Sequence, residues 1–308
     1  MSLVSKNDWQ PSASIHALKQ RAAIVQTIRS FFSARDVLEV TTPVLSQFTV
    51  TDPYLQSMQT TDGLYLQTSP EYPMKRLLAA GSGSIFQICP CFRQDESGRW
   101  HAPEFSMLEW YRVGFDHHQL MQEVDELLQY LLNTQPAKKI SYRDCFYQHL
   151  GLDPFNCRLT ELENCADDHD IHAPPLDDYN GWLDLLMTHL IEPHLGQEKP
   201  VILFDFPTTQ AALAKIHDDV AQRFEVYVKG VELANGYHEL TDPMEQHRRF
   251  THNNERRTTL GLPTMAIDQS LIEAMEHGLP ACAGVALGLD RLVMLALNKN
   301  AISEVMAF

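Results

Sequence analysis

The chain has no apolar stretch long enough to cross a membrane. Its longest near-candidate, VALGLDRLVMLAL, is broken by Asp290 and Arg291. The N-terminal MSLVSKNDWQPSAS lacks the apolar core of a secretory signal. Both features lead to the expectation of a cytoplasmic protein with no membrane partner. Positive charge is scarce: 24 Lys and Arg stand against 40 Asp and Glu, a formal net charge of −16. So acidic a surface repels phosphate backbones, which argues against a broad nucleic-acid footprint. The nearest approach to a basic cluster, Arg248, Arg249, Arg256 and Arg257, is spaced like the solvated face of a helix. Cysteine is sparse and unpatterned, and six thiols without framework spacing fit a reduced state better than disulfides. Cys157, Cys165, His169 and His172 are of metal-ligating types but lack the short Cys-Cys pair of structural zinc sites.

Several signatures are missing too. There is no Gly-x4-Gly-Lys-Ser/Thr loop, no Gly-x-Gly-x-x-Gly after a strand, no His-Glu-x-x-His and no Gly-x-Ser-x-Gly elbow. The common nucleotide folds, zinc proteases and α/β-hydrolases are therefore unsupported.

What is present is an ordinary globular composition, 44% hydrophobic and 21% charged. Ser12 and Ser14 are N-cap candidates for a long helix running to about Arg35. Leu38 to Pro43 then reads as extended. A strand at 64–67, a short helix opened by Pro70 and closed at Gly81, and paired strands at 84–91 and 105–111 follow. Helices are expected at 116–132 and 141–150, and strands at 201–206, 223–228 and 231–235. Two further helices, from Asp242 and Asp268, precede the strand Gly284–Gly288, which runs straight into a last helix. Residues from about 151 to 200 are rich in Asp, His, Pro and Asn and read as an insertion with one helix near Trp182. Strands interleaved irregularly with helices point to an α+β fold with a mainly antiparallel sheet.

Three segments carry chemistry. In the first, Phe92-Arg93-Gln94-Asp95-Glu96 ends a strand, a loop holds Arg99 and His101, and Phe105 opens the next strand. An arginine fixed at a strand end can clamp a phosphate with its fork of N–H groups, and an aromatic ring opposite can stack on a base. In the second, Gly288-Leu289-Asp290-Arg291 sits at a strand-to-helix junction. An arginine in a first helical turn meets the unfavourable end of the dipole, which a bound anion offsets. The third holds Glu225 and Glu232, two carboxylates suited to sharing Mg²⁺ with triphosphate oxygens, and Asn235 and Glu239, suited to an ammonium. Each has a plainer alternative: Arg93 pairing with Asp95 or Glu96, Arg291 with Asp290, and both glutamates simply solvated.

Taken in order, these segments resemble the three motifs of class II aminoacyl-tRNA synthetases. The long helix with Leu38-Glu39-Val40-x-Thr42-Pro43 is similar to motif 1, FRQDESGRWHAPEFSMLEWY to motif 2, and GVALGLDRLVML to motif 3. Thr68-Ser69-Pro70-Glu71 with Lys75-Arg76-Leu77 resembles the lysyl, aspartyl and asparaginyl group, and Asn235-Gly236-Tyr237-x-Glu239-Leu240 its lysine-specific form.

The resemblance implies a six- to seven-stranded antiparallel sheet flanked by helices and a homodimer formed through motif 1. It implies ATP held by Arg93, Asp95, Glu96, His101, Phe105, Gly288 and Arg291, with Mg²⁺ on Glu225 and Glu232. Arg93 and Arg291 would be catalytic through charge neutralisation. Ser69, Glu71, Glu109, Tyr111, Asn235, Tyr237, Glu239 and Ala286 would line an amino-acid pocket.

Two departures bear on the substrate. Fewer than twenty residues precede the motif-1 helix, where a lysyl-tRNA synthetase has its anticodon-binding OB barrel. The expectation is one catalytic domain over 1–308 without that barrel, and no tRNA partner. Ala286 also places a methyl where the synthetase strand has glycine, which would reshape the pocket floor. Both are features of the short lysyl-tRNA synthetase paralogues that attach (R)-β-lysine to a lysine of translation elongation factor P. That resemblance implies an AMP-forming ligase with β-lysine and this factor as substrates. A minimal synthetase activating α-lysine, and a non-catalytic regulatory paralogue, are the alternatives.

Overall fold

The computed structural model describes residues 9–94, 96–172 and 178–308. In chain order the elements are α1 (Ile15–Ser33), β1 (Leu38–Glu39), β2 (Leu45–Ser46), β3 (Tyr65–Leu66), α2 (Glu71–Ala79), β4 (Ile85–Phe92), β5 (Glu104–Val113) and α3 (His117–Leu132). Then come β6 (Lys138–Ser141), α4 (Tyr142–Leu150), α5 (Leu159–Asp168), α6 (Tyr179–Leu186), β7 (Val201–Pro207), β8 (Ile216–His217), β9 (Val220–Val228) and β10 (Val231–His238). The chain closes with α7 (Pro243–Thr259), α8 (Gln269–Gly278), β11 (Cys282–Gly288) and α9 (Leu289–Ala296).

Ser14 caps α1 by accepting the N–H of Ala17 at 3.1 Å. Ser12 instead donates to the carbonyl of Met306, tying the two ends of the chain together. The main sheet runs β1-β4-β5-β11-β10-β9-β7-β6, with β8 added to β9. Its six central strands, β4 to β7 in that order, are antiparallel, as expected. The short β1 and β6 extend it by parallel pairing at either edge, which makes nine strands rather than six or seven. Both short strands, and β8, lie below the length at which alternation of apolar residues can be read.

Strict alternation through the central strands sorts the sheet's two faces. Leu108 and Trp110 of β5, Phe224 and Val226 of β9, and Val285 and Leu287 of β11 join α1, α3 and α9 in the largest apolar cluster. Glu109, Tyr111, Arg223, Glu225, Gly284 and Ala286 occupy the intervening positions and face the other way. Two irregularities break the count, one in β7 between Phe204 and Phe206 and one in β10. A bulge lies between Glu232 and Ala234, where Glu232 pairs with Tyr227 and Ala234 with Val226. Leu233 and Ala234 therefore both enter the core, while Glu232 and Asn235, three residues apart, share the opposite face.

Residues 151–200 carry more regular structure than their composition suggests. The described part forms α5 and α6, and its Leu162, Trp182, Leu186 and Ile191 build a second apolar cluster with Tyr142, Phe146 and Leu203. Within it Cys157 lies 2.9 Å from the hydroxyl of Tyr179, and His169 contacts the carbonyl of Cys165. Among the described residues no group of three or more His, Cys, Asp or Glu could hold a metal ion. The four arginines of α7 divide: Arg248 is exposed, as a solvated helix face requires, whereas Arg257 and Arg249 correct that expectation. Arg257 is fully buried and donates to the carbonyls of Pro263 and Asp52, and Arg249 donates to those of Ala212 and Ala214. Their forked donors satisfy loop carbonyls that no strand partners. No helix among the described residues is long and apolar enough to cross a membrane.

Candidate active site

The polar face of β5, β11, β10 and β9 floors a cavity of about 480 Å³. Glu109, Ala286, Asn235 and Glu225 stand side by side across it in one hydrogen-bonded row. Tyr111, Gly284, Tyr237 and Arg223 form the next row. Residues expected from sequence for both the nucleotide and the amino acid meet here: Arg93, Glu96, His101, Phe105, Glu225, Glu232, Gly288 and Arg291 with Ser69, Glu71, Glu109, Tyr111, Asn235, Tyr237, Glu239 and Ala286. Asp95 lies outside the described residues.

One end is cationic. Arg291, in the first turn of α9, donates to the carbonyls of Trp100 at 3.1 Å and Glu232 at 2.6 Å, and its third contact is His101 Nε2 at 2.6 Å. Burial, then the Arg291 charge, holds the imidazole below its ordinary pKa, so His101 meets the arginine as a neutral acceptor. Arg291 thus has no carboxylate partner among the described residues. Asp290 turns away from it to Arg21, 2.6 Å off, and accepts the N–H of Ser106. Arg93 follows β4 and among the described residues makes one long ion pair, 3.4 Å to Glu96. Its Nε is buried without a partner, and its guanidinium lies 5.0 Å from the Phe105 ring centre. Two underneutralised guanidinium groups at one mouth define a site for a polyanion.

The middle holds Glu225 and Glu232. Glu225 takes a short hydrogen bond from Arg223 and a 2.6 Å bond from the Tyr227 hydroxyl. Burial, with Glu225 adding, pushes Glu232 up to about 7. Asn235 Oδ1 beside them is buried without a partner. Arg223 pairs with Glu225 alone, so Glu232 and the Asn235 oxygen have no cation of their own among the described residues. With phosphate oxygens to complete the shell, the two carboxylates suit Mg²⁺.

The other end is anionic. Glu109 is buried on β5 and accepts from Ser69 and Tyr111, both at 2.7 Å. Burial, and next the charge of Glu71, pushes its carboxyl up to about 8. Glu239, just past β10, is pushed by burial up to about 7. Gly284 is required here: a Cβ would run into the Tyr111 ring and come within 2.5 Å of Glu239 Oε1. Ala286 lies in the floor between Glu109 and Asn235, its methyl part of the cavity lining.

Sequence reasoning gave no role to Lys75, which joins Glu71 at 2.6 Å and Glu239 at 2.7 Å, nor to Arg223. The signals were there: Glu71 and Lys75 are four apart on one helix, and Arg223 and Glu225 alternate on one strand face. The Arg21–Asp290 pair spans 269 positions and had no local signal.

The model of the class II tRNA synthetases for D, K and N matches residues 8–308. This chain belongs to that family. It is 52% identical over 314 residues, 97% of this chain and 97% of the relative, to the elongation factor P–(R)-β-lysine ligase of Salmonella dublin. The proteins of that name from Salmonella paratyphi B and Salmonella heidelberg match at the same identity and coverage.

Proposed function

We propose that this protein is an ATP-dependent, AMP-forming ligase that activates (R)-β-lysine and transfers it to a lysine side chain of translation elongation factor P. The observation that carries the reading is one cavity with a cationic and an anionic end on a continuous sheet row from Glu225 to Glu109. Identity with ligases of that name along 97% of their length supports it.

Arg93 and Arg291 bind and orient the triphosphate, with Phe105 against the base and His101 holding Arg291 in place. Glu71, Glu109 and Glu239 bind the two ammonium groups, with Ser69, Tyr111, Asn235 and Tyr237 completing the pocket. A buried ammonium needs such compensating charge. The β-lysine carboxylate is already ionised and attacks the α-phosphorus in line, forming the C–O–P link as pyrophosphate leaves. No protein base is needed, and the residues act by positioning and charge neutralisation. The deprotonated ε-amine of the acceptor then attacks the adenylate carbonyl, forming an amide and releasing AMP. Mg²⁺ on Glu225 and Glu232 supplies further neutralisation of phosphate charge when bound.

We propose also a single catalytic domain with 151–200 as an elaboration, a homodimer, and a cytoplasmic site of action beside translation. Membership of the family, with residues 15–43 similar to its motif 1, supports the dimer. Pyrophosphate exchange with (R)-β-lysine and α-lysine, and the mass of elongation factor P after reaction, test the function. Equal or better use of α-lysine, or no mass gain, would overturn it.

A further inference from the structure

Lys75 is the least expected group behind the cavity wall. It sits on α2, is 1% exposed, and places its ammonium between Glu71 of its own helix and Glu239 beyond β10. A buried lysine ordinarily loses its proton to escape desolvation. Here burial works in that direction, but Glu239 and then Glu71 more than reverse it, and the amine is held above the ordinary lysine range.

The charge count then becomes informative. Three carboxylates, Glu71, Glu109 and Glu239, meet at the anionic end, and Lys75 is the cation placed among them. With all three ionised, the state that entering ammonium groups favour, three negative charges and one positive leave two negative, the complement of a diammonium substrate. Tyr111 of β5, Tyr72 of α2, Tyr237 of β10 and Cys282 of β11 also face this cluster, and burial raises all four, so they stay neutral. On β4, beside Glu109, a mutual hydrogen bond lowers Cys89 and raises Cys91. Lys75 therefore sets the pocket's net charge.

We propose that Lys75 is a positioning residue for the amino-acid substrate. It holds the Glu71 and Glu239 side chains in place, so that two entering ammonium groups meet three carboxylates offset by one buried cation. This rests on the β-lysine reading above. Without Lys75, two buried carboxylates would be left facing one another, and one would take up a proton near neutrality. Substrate would then have to displace that proton in order to bind.

The test compares wild-type protein with Lys75→Met and Lys75→Arg, measuring KM for β-lysine and for ATP by pyrophosphate exchange across pH. For Lys75→Met the β-lysine KM is expected to rise by about tenfold or more at pH 6.5 and by under about threefold at pH 8.5, with the ATP KM unchanged. Lys75→Arg restores the wild-type pH dependence. A loss of equal size at both pH values, or an equal loss for ATP, marks a merely structural role and overturns the proposal. Should the variants fail to fold, nitrogen-15 NMR of the wild-type lysines decides: a Lys75 amine that is neutral at pH 8 overturns it as well. Wild-type protein that does not activate β-lysine at all would instead overturn the functional reading.

Discussion

Arg21 in α1 and Asp290 in α9 form a 2.6 Å ion pair that ties the first long helix of the chain to the last. The same arginine donates to Ser106 Oγ at 2.8 Å, and Asp290 accepts the Ser106 N–H at 2.6 Å. Ser106 follows Phe105, and Arg291 follows Asp290. One buried carboxylate thus fixes the registers of both nucleotide-facing side chains.

Asp290→Ala should cost about 3–5 kcal/mol in stability, because it leaves Arg21 uncompensated. Arg21→Met should cost at least as much, since the charge it leaves uncompensated is Asp290, 3% exposed in its side chain against 19% for Arg21. Urea unfolding measures both. In the folded variants the ATP KM should rise more than the β-lysine KM.

Arg93→Met and Arg291→Met should each lower pyrophosphate exchange by about 100–1000-fold with the fold intact, as for loss of a transition-state charge donor. Circular dichroism and exchange rates together check this. A loss of only a few fold would remove either residue from the charge-neutralising role.

Gly284→Ala should nearly abolish use of β-lysine, since its Cβ would strike the Tyr111 ring and crowd Glu239. Nucleotide binding, at the far end, should persist in calorimetry with ATP.

Ala286→Gly should raise activity with α-lysine relative to β-lysine by opening the floor between Glu109 and Asn235. An unchanged ratio would detach Ala286 from isomer choice.

Acid should weaken amino-acid binding while stabilising the empty protein. Glu109, at about 8, and Glu239, at about 7, must be ionised to hold ammonium groups, so the β-lysine KM should fall from pH 6 to 8.5. Both folded values lie above the unfolded value of 4.5, so the folded state holds more protons between them. Their contribution to stability is full below that unfolded value and is lost as pH rises through 7 to 8. The melting temperature of the ligand-free protein should accordingly fall over this range, and β-lysine should offset the fall.

Much of the site was legible because its residues lie in contiguous segments whose spacing survives folding. Arg93 to Phe105 is a strand, loop and strand, and Gly288 to Arg291 a strand running into a helix; both read directly from apolar alternation and glycine. Lys75 escaped a role because a lysine four residues after a glutamate is as common on solvated helices as in buried sites. The edge strands β1, β6 and β8 are two to four residues long, too short to show a period. The burial of Arg257 depends on the carbonyls of Asp52 and Pro263, which only the folded chain brings to it.

The bulge at Glu232–Ala234 has a consequence for how such a cavity can diverge. Residue parity on β10 reverses there, so the metal-side carboxylate and the ammonium-side Asn235 and Tyr237 keep different time along one strand. Losing Leu233 would close the bulge and restore unbroken alternation with Glu232 still opposite Tyr227 on the cavity face, so one deletion would remove an apolar side chain from the core and spare both halves of the site.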